Sequence, residues 1–360
     1  MLSRCLSYPH LKLTILTFAA GALLAACDQE PTAPGDVTQP TTTASAPEFA
    51  TVSPGTWVPK TPSLFRTQEA VVGTITNAAG KPLLISAGGF TPGMKRVLRR
   101  VEAYDPATDT WSRLANLPTG FAGMASATLD NKFYIIGIRT LRGGSHLDNL
   151  FPRLYVYDPI TNKWSRKADL PALLSHGVGF SANGLLYALW GSCDECTLST
   201  PHGGRHTARF LFSYDPATNL WTRRADAKYR HRGGGGAMID GKFYAVTGQF
   251  FSGVNRLEVY DPATDTWTSR AKPPRAGSSA VAAVDKKLYV FGDLFDDPTR
   301  VDSYDPATNK WTLAAPLPTI PFSLGAVRLS VGGVPRIFVP GLGSGATGAP
   351  STAVNEMFTP

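Results

Sequence analysis

The sequence predicts an all-β fold in which one four-stranded antiparallel sheet is repeated around an axis, a six-bladed β-propeller. Three observations predict it. An eight-residue phrase occurs five times, as YDPATDTW at 104–111, YDPITNKW at 157–164, YDPATNLW at 214–221, YDPATDTW at 260–267 and YDPATNKW at 304–311. Its leading tyrosines lie 53, 57, 46 and 44 residues apart, the period of one small β unit per repeat. No long stretch spaces its apolar residues at the helical period, and 35 Gly and 29 Pro favour turns over helix.

The chain opens with an export signal over residues 1–27. Arg4 and Lys12 precede an apolar run from Leu13 to Ala26, 14 residues long and too short to span a bilayer. The run ends Leu24-Ala25-Ala26-Cys27, which resembles the lipobox of bacterial lipoproteins. That resemblance implies cleavage before Cys27, lipidation of Cys27, and an exported, membrane-anchored protein of the periplasm or cell surface. An ordinary secretory signal is the alternative. Residues 28–54 carry five Pro and a single aromatic, Phe49, too little apolar surface to fold. They read as a disordered Pro/Thr-rich tether.

From residue 55 to 360 the repeat takes over. Asp-Pro presets a turn, since proline fixes its own φ and the Asp side chain bonds backbone amides two residues on. Asp109, Asn162, Asn219, Asp265 and Asn309 stand where a left-handed residue finishes the reversal. Tyr and Trp flank the turn on neighbouring strands and pack on one sheet face. Five equivalent Asp at five places therefore read as turn formers, not catalytic carboxylates. Between these phrases comes a Gly- and Ala-rich strand such as 233–239, then a two-residue turn (Asp130-Asn131, Asn183-Gly184, Asp240-Gly241), then an aromatic-aliphatic strand ending in Gly.

The hydrophobic strand ending in Gly, the Tyr, and the Trp seven residues later resemble the kelch repeat across nearly all of 55–360. The departure is the diglycine, kept in full only at Gly88-Gly89. The chain ends with Phe358-Thr359-Pro360 in place of Tyr-Asp-Pro and no Trp after it, while Trp57 has no Tyr before it. The Trp57 strand is thus expected to complete the last blade and close the ring, leaving no open edge.

Strand alternation sorts the connections. Asp-Pro turns and short hairpins fall on one face; the longer insertions at 139–151, 192–208, 225–232 and 342–351 share the other, where a binding site is expected. Its candidate ligand-binding residues are Arg66, Arg139, Arg142, His176, Arg232 and Arg275. Arg66, Phe121, Ser175, Arg232, Arg275 and Phe322 open the blades and are expected to ring the channel mouth. Arginines converging there would clamp a carboxylate, or else bond neighbouring carbonyls and hold the ring. Asp293, Asp296 and Asp297 dilute the basic character.

Cys193 and Cys196 sit in the longest loop, with His202 and His206 beyond them. In an exported chain they read first as a disulfide; a zinc site formed by all four and free thiols remain open.

The net charge of +8 falls to +6 without the leader. It suits acidic ligands, but no basic run interleaved with aromatics suggests nucleic acid. The first functional reading is a monomeric binding scaffold for a protein, peptide or glycan, with no cofactor. The second is a sugar enzyme. Sialic-acid mutarotases (N-acetylneuraminate epimerases) are exported six-bladed kelch propellers, and an arginine ring suits their acidic substrate. No Asp or Glu stands out as a proton-transfer group. The copper ligands that a likeness to galactose oxidase would imply cannot be placed here.

Overall fold

In the computed structural model the described residues are 55–92, 95–122, 125–142, 145–172, 177–189, 209–231, 233–246, 255–275, 280–292, 297–319, 325–343 and 352–360. They form six four-stranded antiparallel sheets. The first strand, β1 (Thr56–Pro59), belongs to the last sheet. Blade I is β2 (Val71–Thr76), β3 (Pro82–Ala87), β4 (Val101–Asp105) and β5 (Thr110–Arg113). Blade II is β6 (Ala125–Leu129), β7 (Lys132–Arg142), β8 (Ser145–Asp158) and β9 (Lys163–Lys167). Blade III is β10 (Val178–Ala182), β11 (Leu185–Leu189), β12 (Leu211–Asp215) and β13 (Leu220–Arg223). Blade IV is β14 (Gly235–Ile239), β15 (Lys242–Val246), β16 (Leu257–Asp261) and β17 (Thr266–Ser269). Blade V is β18 (Ala280–Val284), β19 (Lys287–Phe291), β20 (Val301–Asp305) and β21 (Lys310–Leu313). Blade VI is β22 (Val327–Val331), β23 (Val334–Gly343), β24 (Thr352–Thr359) and β1. Among the described residues no helix is long and apolar enough to cross a membrane.

Ring closure follows the expected route. Trp57 pairs with Phe358 across β1 and β24, and their rings lie 4.8 Å apart. The turns also form as read. Oδ1 of Asp105, Asp158, Asp215, Asp261 and Asp305 accepts the N–H two residues on at 2.8–3.0 Å. Asp109, Asn162, Asn219, Asp265 and Asn309 adopt φ between +51° and +59°. Asp130-Asn131 and Asp285-Lys286 hold positive φ at both residues, as two-residue hairpins require.

The left-handed residue does more than turn the chain. In every complete phrase its side-chain Oδ1 accepts the hydroxyl of the phrase's tyrosine at 2.6–2.8 Å. The same oxygen accepts a backbone N–H from the blade before, from Thr61, Ala115, Ala168, Ala225 or Ala271, at 2.9–3.0 Å. The carbonyl of that same residue then accepts the indole N–H of the phrase's tryptophan at 2.8–3.0 Å. Tyr, Asx and Trp therefore form one latch that fastens each blade to its predecessor. The tyrosine rings are almost wholly buried, so each hydroxyl needs this acceptor. Blade VI has no such turn, because the chain is open there. Phe358 accordingly lacks the hydroxyl, while Trp57 still donates to Ala315 O at 3.0 Å.

Around the axis, inner-strand hydroxyls stitch neighbouring blades. Ser126 donates to Val72 O at 3.1 Å, Thr128 to Thr74 O at 2.7 Å, and Ser181 to Thr128 O at 2.7 Å. Contact is close enough to demand glycine at one point. A Cβ on Gly179 would lie 2.6 Å from Ser126 O. Apolar clusters fill each space between facing sheets, as where Val71, Ile85 and Phe121 of blade I meet Phe133 and Ile135 of blade II.

Two expectations need correction. Residues 139–151, read as a long loop insertion, largely continue β7 and β8 as a paired ribbon from Ile138↔Phe151 to Arg142↔Ser145, bulged near Gly137. Alternating Ile138, Thr140 and Arg142 supply the strand periodicity. Phe121, expected at the channel mouth, is fully buried in the interblade core, with its carbonyl holding Gly89 N–H.

Candidate functional site

The face opposite the Asp-Pro turns is built from the connection after each second strand and the one between blades. A repeated acid organises it. Two residues before the tyrosine stand Glu102, Glu258 and Asp302, with Glu356 before Phe358, all buried. Glu258 accepts the backbone N–H of Lys228 and of Tyr229, each at 3.0 Å, and meets His231 Nε2 at 2.9 Å. Glu356 accepts the Thr319 hydroxyl at 2.9 Å. Glu102 accepts the Leu64 N–H at 3.1 Å. These three carboxyls thus anchor the connection arriving from the previous blade. Sequence reasoning overlooked Glu258; it and His231 are both fully buried, which suits a structural anchor.

At blade I the anchored connection carries Phe65 and Arg66. The Arg100 guanidinium lies 4.0 Å from the Phe65 ring centroid and that of Arg113 lies 5.0 Å away. Arg99 is held by its Nε donating to Leu117 O at 2.6 Å. Arg66, Lys95, Arg96, Arg99, Arg100 and Arg113 are all exposed. Beneath them Glu102 is buried, and burial pushes its carboxyl up to about 7, against the Leu64 N–H and the charges of Arg100 and Arg113. An acid whose ionisation is disfavoured by burial offsets less of the cationic charge above it than an ordinary carboxylate would. Flanking blades II and VI raise longer ribbons than the others, β7–β8 and β23–β24.

The predicted site residues scatter by comparison. Arg66 joins the blade I cluster. Arg139 and Arg142 lie on the blade II ribbon, opposite Leu150 and Ser145. Arg275, between blades IV and V, is half-buried and acts on Asp297, whose carboxyl is held below its usual range first by the Thr299 hydroxyl and more weakly by Arg275. His176, Arg232, Cys27, Cys193, Cys196, His202 and His206 lie outside the described residues, as do Ser175 and Phe322. The signal for the missed arginines was periodic. Four residues before the tyrosine stand Arg100, Arg153, Arg256 and Arg300, with Phe210 interrupting and Val354 in blade VI. Not all are available to a ligand: Arg300 binds both oxygens of Asp302, at 2.7 and 2.8 Å.

Comparison with known proteins agrees with this architecture. The family model for the kelch motif matches residues 78–118 and 230–274. Mouse Kelch-like protein 35 is 28% identical over 167 residues, 46% of this chain and 25% of that protein. Alpha-scruin of Limulus polyphemus is 30% identical over 99 residues, 27% of this chain and 11% of its own length. The matched part therefore spans a quarter or less of these relatives. Among solved structures, that of YjhT superimposes with a TM-score of 0.65 at 16% identity, covering 82% of this chain and 95% of its own; at that identity the likeness is one of fold.

Proposed function

We propose that this chain, which belongs to the kelch-repeat β-propellers, is an exported, lipid-anchored binding scaffold that holds an acidic protein or peptide segment at the long-loop end of blade I. The observation that carries this reading is the run of exposed cations on blade I: Arg100 and Arg113 stacked over Phe65, Arg66 next to it in the chain, and Lys95, Arg96 and Arg99 on the connection between β3 and β4. Guanidiniums stacked on an aromatic ring are oriented before a partner arrives, so less freedom is lost on pairing with a carboxylate. The flanking ribbons offer extended backbone to a segment laid alongside. The Tyr, Asx and Trp of each repeat and the buried glutamates are already engaged in holding the ring. The leader ending in Cys27 and the tether over 28–54 support anchorage at a membrane.

The test uses a fluorescent twelve-residue Glu/Ser peptide and the mature chain, followed by anisotropy across a salt series. Affinity is expected to weaken with salt and to fall at least tenfold in R99E/R100E. Equal binding by wild type and variant, or no binding near 1 mM peptide, would overturn the reading. Faster interconversion of N-acetylneuraminate anomers by NMR, lost in Arg232→Ala or Arg275→Ala, would instead favour the sugar-acid enzyme.

A further inference from the structure

A different site lies at the opposite end of the axis. The six innermost strands, β2, β6, β10, β14, β18 and β22, contain one ionisable side chain among them, Arg328 on β22. Strand register makes the comparison direct. Counted from the tyrosine or Phe358 position, the residues equivalent to Arg328 are Thr74, Thr128, Ser181, Met238 and Ala283, none of them charged. The fold therefore has no need of a cation there. Arg328 is exposed even though its neighbours on the strand, Val327 and Leu329, are buried.

Arg328 lines two recesses at the end of the channel where the short hairpins gather. One, of about 390 Å³, is bounded by Thr74, Thr76, Thr128, Asn131 and Ser330 from blades I, II and VI. The other, of about 300 Å³, is bounded by Asp240, Asp285 and Lys286 from blades IV and V. In the first recess Thr128 is committed to Thr74 O, and the Asn131 carboxamide to the backbone N–H and O of Thr76. Ser126, Thr128 and Ser181 show what an inner-strand hydroxyl does when it serves the ring: it donates to the preceding blade. The hydroxyls of Thr74 and Ser330 make no such bond among the described residues, and the Arg328 guanidinium has no acid partner there. In the second recess Lys286 sits 3.4 Å from Asp240, so negative charge is already present.

We infer that the hairpin-side recess beneath Arg328 binds a small hydroxylated carboxylate. Its carboxylate pairs with the guanidinium and its hydroxyls meet Thr74 and Ser330. Guanidinium and carboxylate match as a two-bond fork. A volume near 390 Å³ falls in the range of small-molecule sites. Asp240 and Asp285 across the channel repel a second anionic group, so a monoanion with neutral hydroxyls fits better than a polyanion. This site is independent of the cation cluster on the other face.

The probe is D-glucuronate, with D-glucose as its uncharged counterpart, added to the mature chain and followed by calorimetry and by NMR of threonine methyls. Glucuronate is expected to bind in the millimolar range or tighter and to shift the Thr74 methyl; glucose binds at least tenfold more weakly. Arg328→Gln, which removes the charge but keeps a polar side chain, loses at least tenfold in affinity at an unchanged melting temperature, whereas Arg66→Gln on the far face binds as wild type does. No binding at 20 mM, equal affinity in Arg328→Gln, or loss in Arg66→Gln would each overturn the assignment.

Discussion

Replacing Asn162 by glycine isolates the latch between blades I and II. Backbone φ at this position is +51°, which glycine accepts freely, so the substitution strains nothing. What goes is the oxygen that accepts Tyr157 Oη–H at 2.8 Å and Ala115 N–H at 2.9 Å. Tyr157 is 1% exposed, so its hydroxyl has little access to a replacement water. A buried donor left without an acceptor costs about 1–3 kcal/mol. The Ala115 amide is only half-buried and rehydrates more cheaply. The expected destabilisation is therefore about 2 kcal/mol. Adding Tyr157→Phe should restore roughly 1 kcal/mol, because an absent hydroxyl needs no partner; Phe358 is the chain's own instance of that solution. Asn162→Asp should stay within about 0.5 kcal/mol at neutral pH, since Asp109 and Asp265 fill the same role. Urea unfolding of the mature chain, followed by tryptophan fluorescence and far-ultraviolet circular dichroism, measures all three. If N162G matches wild type, or Y157F/N162G is less stable than N162G, the hydroxyl-to-Asx bond does not hold the blades.

The Glu102 carboxyl, raised to about 7 from 4.5, binds its proton more tightly in the fold than in the unfolded chain, so stability falls as pH rises through that interval and the loss is complete above it. Glu102→Gln should remove up to ~3 kcal/mol of the difference between pH 5 and pH 8; unfolding midpoints with the same pH dependence as wild type would contradict the burial effect. Cells fed labelled palmitate should incorporate it into the full chain and not into Cys27→Ala, and equal labelling would remove the anchor at that residue.

Much of this was legible because the chain repeats itself. Five copies of one phrase identified the turn residues, and the unmatched Trp57 and Phe358 pointed to each other across 301 residues of sequence. The latch was only half visible. Tyr and Trp could be placed by the strand pattern, but that one Asx oxygen takes both the tyrosine hydroxyl and a neighbouring blade's amide depends on how sheets pack side by side. The blade I cluster was hidden for a similar reason: Phe65 and Arg113 are far apart in the chain and meet only when the anchored connection folds over β5. Arg328 looked like any polar residue in a strand until register aligned it with the uncharged Thr74, Thr128, Ser181, Met238 and Ala283. In the other direction, strand alternation placed Phe121 at the rim, whereas its apolar ring turns inward to join the core between blades I and II.

Hydrogen exchange at the tryptophan indoles tests the closed, latched ring most directly. Trp57, Trp111, Trp164, Trp221, Trp267 and Trp311 each donate Nε1–H to a carbonyl of the preceding blade. In D₂O their assigned indole signals should persist together, Trp57 among them, and vanish on global unfolding. A Trp57 signal that exchanges as fast as a free indole while the others remain protected would mean that β1 does not close the ring.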